Sequence, residues 1–189
     1  MKRQFPSAQK FTRLLLAMAG AALFTLVPAA WSADMMEQLK SAQGKEFDHH
    51  FLSMMIDHHK MGVEMAELVS SHAKSAELKK MAKKTIADQR QEITKMQSLL
   101  KGTGKPPMNM SHDDPMMKES MSAMDELKKA KGEEFDSKFA IQMTKHHQAA
   151  LDMSELAQTR SQTEEVKTLA TNILKKQRQE ISELSKFKR

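Results

Sequence analysis

Two His-His pairs set among methionines are the residues of this chain whose types and spacing could do chemistry. His58 and His59 follow Met54 and Met55 and precede Met61 and Met65, while His146 and His147 follow Met143 and precede Met153. Imidazole nitrogen and thioether sulfur together suit a soft transition metal. Thioether is neutral and never has to lose a proton, so methionine sites hold Cu(I) over a wide pH range; imidazole adds affinity and can also hold Cu(II). The chain contains no Cys, so its ligand set forms no disulfide in an oxidising compartment. In the first copy His50, Met54, His58, Met61 and Met65 follow one another at steps of four, four, three and four, which stacks them along one edge of a helix. The second copy has Lys138, Gln142 and Ala149 at the positions matching His50, Met54 and Met61, so only the first half carries the full ladder.

A second concentration of soft ligands runs through Met108, Met110 and His112 to Met116, Met117, Met121 and Met124. It follows Gly102-Thr103-Gly104-Lys105-Pro106-Pro107, a stretch that stops a helix because Pro removes a backbone donor and Gly is a poor helix former. Residues 102–121 therefore read either as a Met/His-rich connector able to wrap a metal or simply as a polar linker. His72, near a predicted helix end, reads as a surface or capping residue.

The elements that must position these ligands are stated twice, at an offset of 88 residues. Gly44-Lys45-Glu46-Phe47-Asp48 returns as Gly132-Glu133-Glu134-Phe135-Asp136, and Gln89-Arg90-Gln91-Glu92-Ile93 returns as Gln177-Arg178-Gln179-Glu180-Ile181. A duplication this regular points to one fold built from two equivalent halves. Strand signals are nearly absent, and Ala, Leu, Met, Lys, Glu and Gln dominate. The periodicity predicts four long helices over 44–71, 75–101, 132–159 and 163–187. The first and third are expected to begin earlier, near residue 35 and its counterpart, because Met36, Leu39 and Ala42 recur as Met124, Leu127 and Ala130. Short breaks at 71–75 and 160–163 make each half an antiparallel hairpin. The expected fold class is all-α, an antiparallel four-helix bundle in which 34–101 and 122–189 are the two hairpin repeats of one domain.

On the first helix Phe47, Phe51, Met55, His58, Gly62, Met65 and Val69 share the buried stripe, and Phe135, Phe139, Met143, His146, Ala150, Met153 and Ala157 do so in the second copy. His58 and His146 are thus expected to face inward, with His59 and His147 at the stripe's edge. Met54 and Met61 are expected to flank His58 on the edge of the bundle. Gln89 and Glu92 sit in the apolar stripe of the second helix, as Gln177 and Glu180 do in the fourth, so each His pair should meet a Gln and a Glu across its own hairpin. A buried polar layer needs no metal to explain it, and Met55, Met65, Met143 and Met153 are equally accounted for by core packing. Convergence of His58, His146, Glu92 and Glu180 on one ion is the alternative. The Glu-x-x-His motif of diiron bundles occurs only at Glu46 and His49, off the stripe and absent from the second copy.

The first 33 residues have the layout of a cleaved secretory signal. Lys2, Arg3, Lys10 and Arg13 precede an apolar run from Leu14 to Val27 of about 14 residues, short of the roughly 20 a membrane span needs, and small residues follow it. Removing that segment takes four of the 30 Lys and Arg, leaving 26 against 24 acids and lowering the formal charge from +6 to about +2. The high pI is then largely a property of the signal, which argues against nucleic acid or an anionic membrane as partner. Sixteen of the 18 Met remain but no Trp or Tyr, and so much Met in so short a domain asks for more than gap-filling.

Phe51-x-x-Met54-Met55-Ile56-x-His58-His59 with Met65-Ala66, then Gln89-x-x-Glu92-Ile93, and the whole second copy resemble the bacterial domain-of-unknown-function family 305, over about residues 35 to 187. The resemblance implies a ferritin-like four-helix bundle, exported to the periplasm, that binds copper and contributes to copper tolerance by sequestering the metal or passing it on to a periplasmic transporter or oxidase. Carried over by position, the first signature is matched by Met54, Met55, His58, His59 and Met65, and the second by Met143, His146, His147 and Met153; the second departs at Gln142, where the signature has Met.

The leading expectation is a non-enzymatic Cu(I) binder, with weaker Cu(II) binding, using the ladder and the linker as separate sites. An Fe or Mn redox site of His and Glu between the helices is the enzymatic alternative, since carboxylate and imidazole are harder than thioether. A periplasmic interaction protein or chaperone with an exposed Met surface is the third. No phosphate-cradling loop, nucleophilic triad or zinc-protease motif occurs, which excludes the common hydrolase and nucleotide-binding classes.

Overall fold

The computed structural model describes residues 33–108 and 115–188, with side-chain environments from 37 to 108 and from 118 to 188. The predicted export signal, Met110 and His112 lie outside the described residues. Those described are helical: α1 Ala33–Ser41, α2 Gly44–His72, α3 Ala76–Gly102, α4 Pro115–Lys129, α5 Gly132–Arg160 and α6 Glu164–Leu184, closed by a turn of 3-10 helix at Ser185–Phe187. No strand occurs among them, and the one isolated bridge joins Ala73 to Gly132.

Two expectations are corrected. The first and third long helices do not extend back to residue 35 and its counterpart, because α1 and α4 are separate helices. Gly44 and Gly132 have φ of 58° and 62°, a left-handed conformation through which an α-helix cannot run and which glycine alone adopts without steric cost. The connector is also shorter than the 102–121 expected, since α4 begins at Pro115. Proline suits that position because the first helical residue needs no backbone donor.

The repeated Phe-Asp motif has a structural reason. Phe47 stacks on Phe51 with ring centroids 5.9 Å apart, and Phe135 on Phe139 at 5.8 Å; all four rings are buried. The following aspartate reaches across to the other half. Asp136 accepts backbone N–H bonds from Lys74 and Ser75, at 3.0 and 2.9 Å, just before α3, and Asp48 accepts from the hydroxyl of Thr163, the residue before α6. Each half thus supplies an anion to the start of the other half's second helix, where free N–H groups favour negative charge.

Contacts recur in matching pairs. His59 meets Glu92 and Glu67 meets Arg90 between α2 and α3; His147 meets Glu180 and Glu155 meets Arg178 between α5 and α6. Where α2 crosses α5, His58 packs on His146; where α3 approaches α6, Lys176 pairs with Asp88 at 3.3 Å. Each of these cross-half pairs joins a residue to its own counterpart at the 88-residue offset. The apolar core falls into two clusters. One holds Phe47, Phe51, Met54, Met55, Met96, Met153 and Ile173; the other holds Met65, Leu78, Phe135, Phe139, Met143 and Leu184. Between them on α2 and α5 the stripe is interrupted by histidine.

Candidate metal centre

That interruption is a buried polar layer made of His58, His59, His146, His147, Gln89, Gln177, Glu92 and Glu180. A buried polar atom without a partner is costly, and this layer holds several. His59 Nδ1, His147 Nδ1, His146 Nε2 and both amide ends of Gln89 and Gln177 make no hydrogen bond with the described residues. Of these, the imidazole nitrogens and the amide oxygens have the lone pairs a metal ion requires, whereas the amide NH2 groups do not.

His59 and His147 are not at the stripe's edge, as expected, but fully buried. Glutamates on the facing helices draw them in. His59 Nε2 lies 2.9 Å from Glu92 Oε2 and His147 Nε2 lies 2.8 Å from Glu180 Oε2. Burial alone would raise the Glu92 carboxyl, but hydrogen bonds from His59 and Lys176 outweigh it and hold the group below the usual carboxylate range. Lys176 Nζ is 3.0 Å from Glu92 Oε1. A carboxylate on one imidazole nitrogen leaves the other free to face a metal and fixes the ring's orientation.

His58 and His146 meet each other rather than the glutamates. Their ring centroids are 3.7 Å apart and tilted by 42°, too close for an ion between the faces, since metal–nitrogen bonds of about 2.0–2.1 Å run outward from a ring's edge. Burial, reinforced by neighbouring imidazoles, holds both well below the ordinary histidine value, so they are neutral, the form that binds metal. Gly62 makes the arrangement possible. A Cβ there would lie 2.5 Å from Gln89 Oε1 and 2.6 Å from His146 Nε2, so the bare helix backbone provides room for both.

The edges of these two rings open onto a cavity of about 40 Å³ lined by His58, His146, Met61 and Met65, with Gln142, Lys145 and α4 residues Glu119, Ser120 and Ala123. Four of the sequence-predicted ligands therefore converge: two imidazoles and two thioethers, a donor set that fits a soft monovalent ion. The other candidates are placed elsewhere. Met54 is 2% exposed, not on the bundle's edge as expected, and packs with Met55 and Met153 in the first apolar cluster; Met143 packs in the second. His50 is half-buried with an unbonded Nδ1, beside His49, whose Nε2 bonds the carbonyl of Pro106 at 2.7 Å. Met108 borders a different groove, between α2 and α3, and its N–H donates to Ser53. Met116 and Met117 fall in the first turn of α4, their side chains outside the described set. His72, as expected of a helix end, bonds the carbonyl of Leu68 and lies against Phe135.

The His58, Glu92, His146, Glu180 site is not assembled. Among the described residues no group of three or more His, Asp or Glu is arranged to hold a metal ion, because both glutamates are taken by His59 and His147. An exposed Met surface is likewise absent among them: the large apolar residues left exposed are Met121 and Ile141. Sequence periodicity alone does not mark Gly62 as the space-giver, Lys176 as a partner of Glu92, or α4 as a wall of the cavity. The signal for the last was present in Pro115 and in the helical step between Met121 and Met124.

Two consecutive matches to the family described as Domain of unknown function (DUF305) cover residues 18–100 and 101–188. The chain belongs to the DUF305 family. Solved structures carry the likeness further. The protein described as CopM in the Cu(I)-bound form is 30% identical over 74% of this chain and 94% of its own, with a TM-score of 0.63. CopM in the Ag-bound form, obtained by co-crystallisation, is 31% identical over 74% of this chain and 93% of its own, again with a TM-score of 0.63. A DUF305 fragment from Deinococcus radiodurans, at 24% identity over 73% of this chain and 92% of its own, shares the fold with a TM-score of 0.66. No curated protein matches the chain. No helix among the described residues is long and apolar enough to cross a membrane.

Proposed function

We infer that this DUF305 protein is a non-enzymatic binder of copper, taking Cu(I) as cargo, and Cu(II) more weakly, through Met and His ligands. The observation that carries the reading is the cavity where His58 and His146 meet Met61 and Met65. Soft thioethers favour Cu(I) over harder ions, neutral imidazoles need no deprotonation, and the unbonded His146 Nε2 leaves a donor available. The likeness to a protein solved with Cu(I), with Cu(II) and with Ag supports it. In this reading the two hairpins form a ferritin-like four-helix bundle as a single domain, α2 and α5 carry the ligands, and α3 and α6 supply the glutamates that orient the second histidine of each pair. The protein works in the periplasm after loss of its first 33 or so residues, holding copper or handing it to a transporter or oxidase there, for copper tolerance.

The test is anaerobic titration of the purified protein with Cu(I) against a chromogenic chelator. Wild type is expected to withdraw at least one equivalent, and Met61→Leu/Met65→Leu, which keeps bulk and helicity, to lose that competition by about tenfold or more. Failure of wild type to compete at micromolar chelator overturns the reading.

A further inference from the structure

Beside the histidine cavity lies a larger groove, about 240 Å³, between α2 and α4. Four methionines line it. Met61 and Met65, one helical turn apart on α2, face Met121 and Met124, a three-residue step apart on α4, with Glu64, Asp125 and Lys128 at the rim. Steps of three or four put both side chains of each helix on one face, so two pairs of thioethers confront each other across the groove.

Core packing accounts for Met65 and Met124, which lie in or against the second apolar cluster, but not for Met121. Met121 is 53% exposed, so its side chain gains little from burial. The duplicated sequence gives an internal control. The positions matching Met61, Met65, Met121 and Met124 at the 88-residue offset are Ala149, Met153, Ala33 and Met36. Methionine occupies both shared positions and, in this groove alone, the two where the other copy has alanine. The halves differ so that only one side has thioether at all four positions, and one of its two extra groups faces solvent.

We propose that this groove is an all-thioether site for a monovalent soft ion, Cu(I) or Ag(I), with Met61, Met65, Met121 and Met124 as its ligands and α4 as the element that brings two of them. The proposal rests on the Cu(I) reading above and adds a second, outer position to it. Thioether alone makes the site blind to Zn(II) and Cu(II), which prefer nitrogen and oxygen donors. Three rotatable bonds let each methionine swing its sulfur onto the ion without backbone movement. Met61 and Met65 line both spaces, so an ion held in the groove is one exchange of ligands away from His58 and His146.

The experiment is titration of the protein, labelled with ¹³C at the methionine methyl groups, with Ag(I), a redox-inert stand-in for Cu(I), resonances being assigned by single Met→Leu variants. The methyl signals of Met61, Met65, Met121 and Met124 are expected to shift together. Met121→Leu, at a half-exposed position that the core does not need, should weaken Ag(I) binding by about tenfold, and Zn(II) should move none of the four. If Met61 and Met65 shift with the His58 and His146 ring signals while Met121 and Met124 stay still, the outer site is overturned and the copper reading stands. If Met121→Leu binds Ag(I) as wild type does, the outer site is likewise overturned. If no Met or His signal moves, both fall.

Discussion

Replacing Gly62 by alanine tests the centre of the layer with one methyl group. In a helix interior alanine is favoured over glycine by about 1 kcal/mol, and α2 is helical throughout here, so propensity alone predicts a more stable protein. The structure predicts the reverse. The new Cβ would meet Gln89 Oε1 at 2.5 Å and His146 Nε2 at 2.6 Å, both well inside contact distance. Gln89 is the end of a longer chain and can swing, but the His146 ring is held by its tilted contact with His58, centroids 3.7 Å apart, so the methyl must displace one or the other. Overpacking of this kind costs about 1–3 kcal/mol, which outweighs the propensity gain and leaves a net loss of up to about 2 kcal/mol. For a domain of this size that lowers Tm by roughly 2–4 °C per kcal/mol. Gly102→Ala is the control, since nothing lies within 4 Å of its Cβ; it is expected to be neutral or stabilising by up to about 1 kcal/mol. Thermal unfolding by circular dichroism and the His146 ring signals in NMR measure both. If Gly62→Ala melts at or above wild type with His146 unmoved, the close approach, and with it this arrangement of the two histidines, is refuted.

Glu92→Gln is expected to cost more stability than Glu180→Gln, by about 1–2 kcal/mol, because it strips a charge-assisted bond from Lys176 as well as from His59; equal urea midpoints would show that the lysine adds nothing. In pH dependence, His58 and His146 are held well below the ordinary 6.5 by burial and their imidazole neighbours. Unfolding lets them take up protons, so their effect on stability is flat above that value and stability falls as pH drops below it, by up to about 1.4 kcal/mol per pH unit for each ring. Glu92 acts in the same direction in a lower window, its contribution fading as pH falls below the ordinary carboxylate range. Urea midpoints unchanged between about pH 8 and 7 and lower by about pH 5.5 are the expected result, and a midpoint that rises on acidification would contradict it.

Helix positions were legible because a 3.6-residue period, short breaks at 71–75 and 160–163 and unfavourable linker residues leave little choice, and α2, α3 and α5 end within a residue or two of expectation. The breaks before Gly44 and Gly132 were not. Glycine at a helix start is compatible with continuation, and only the positive φ forced by the chain's change of direction shows that α1 and α2 are separate. In the site, pattern separated inward His58 from solvent but misplaced His59. A face angle measures direction from one helix axis, whereas the burial of His59 depends on Glu92, a residue on another helix. The same holds for Met54 and Met61. They share one edge of α2, yet Met54 meets the apolar cluster and Met61 meets α4, and the packing of neighbouring helices cannot be read from a single period.

The pairing of Asp88 with Lys176 reaches beyond the present molecule to its ancestry. Two separate but identical half-chains assembled in this way would bring position 88 against itself, and any residue there would meet its own kind: aspartate against aspartate, or lysine against lysine. Histidine tolerates such self-confrontation when neutral, and His58 and His146 are still alike. Charge does not, and only two copies free to diverge, as the halves of one fused chain are, can place acid on one side and base on the other. That mutation works as a ratchet, because once the two copies have taken opposite charges neither can rebuild the pair with a copy of itself.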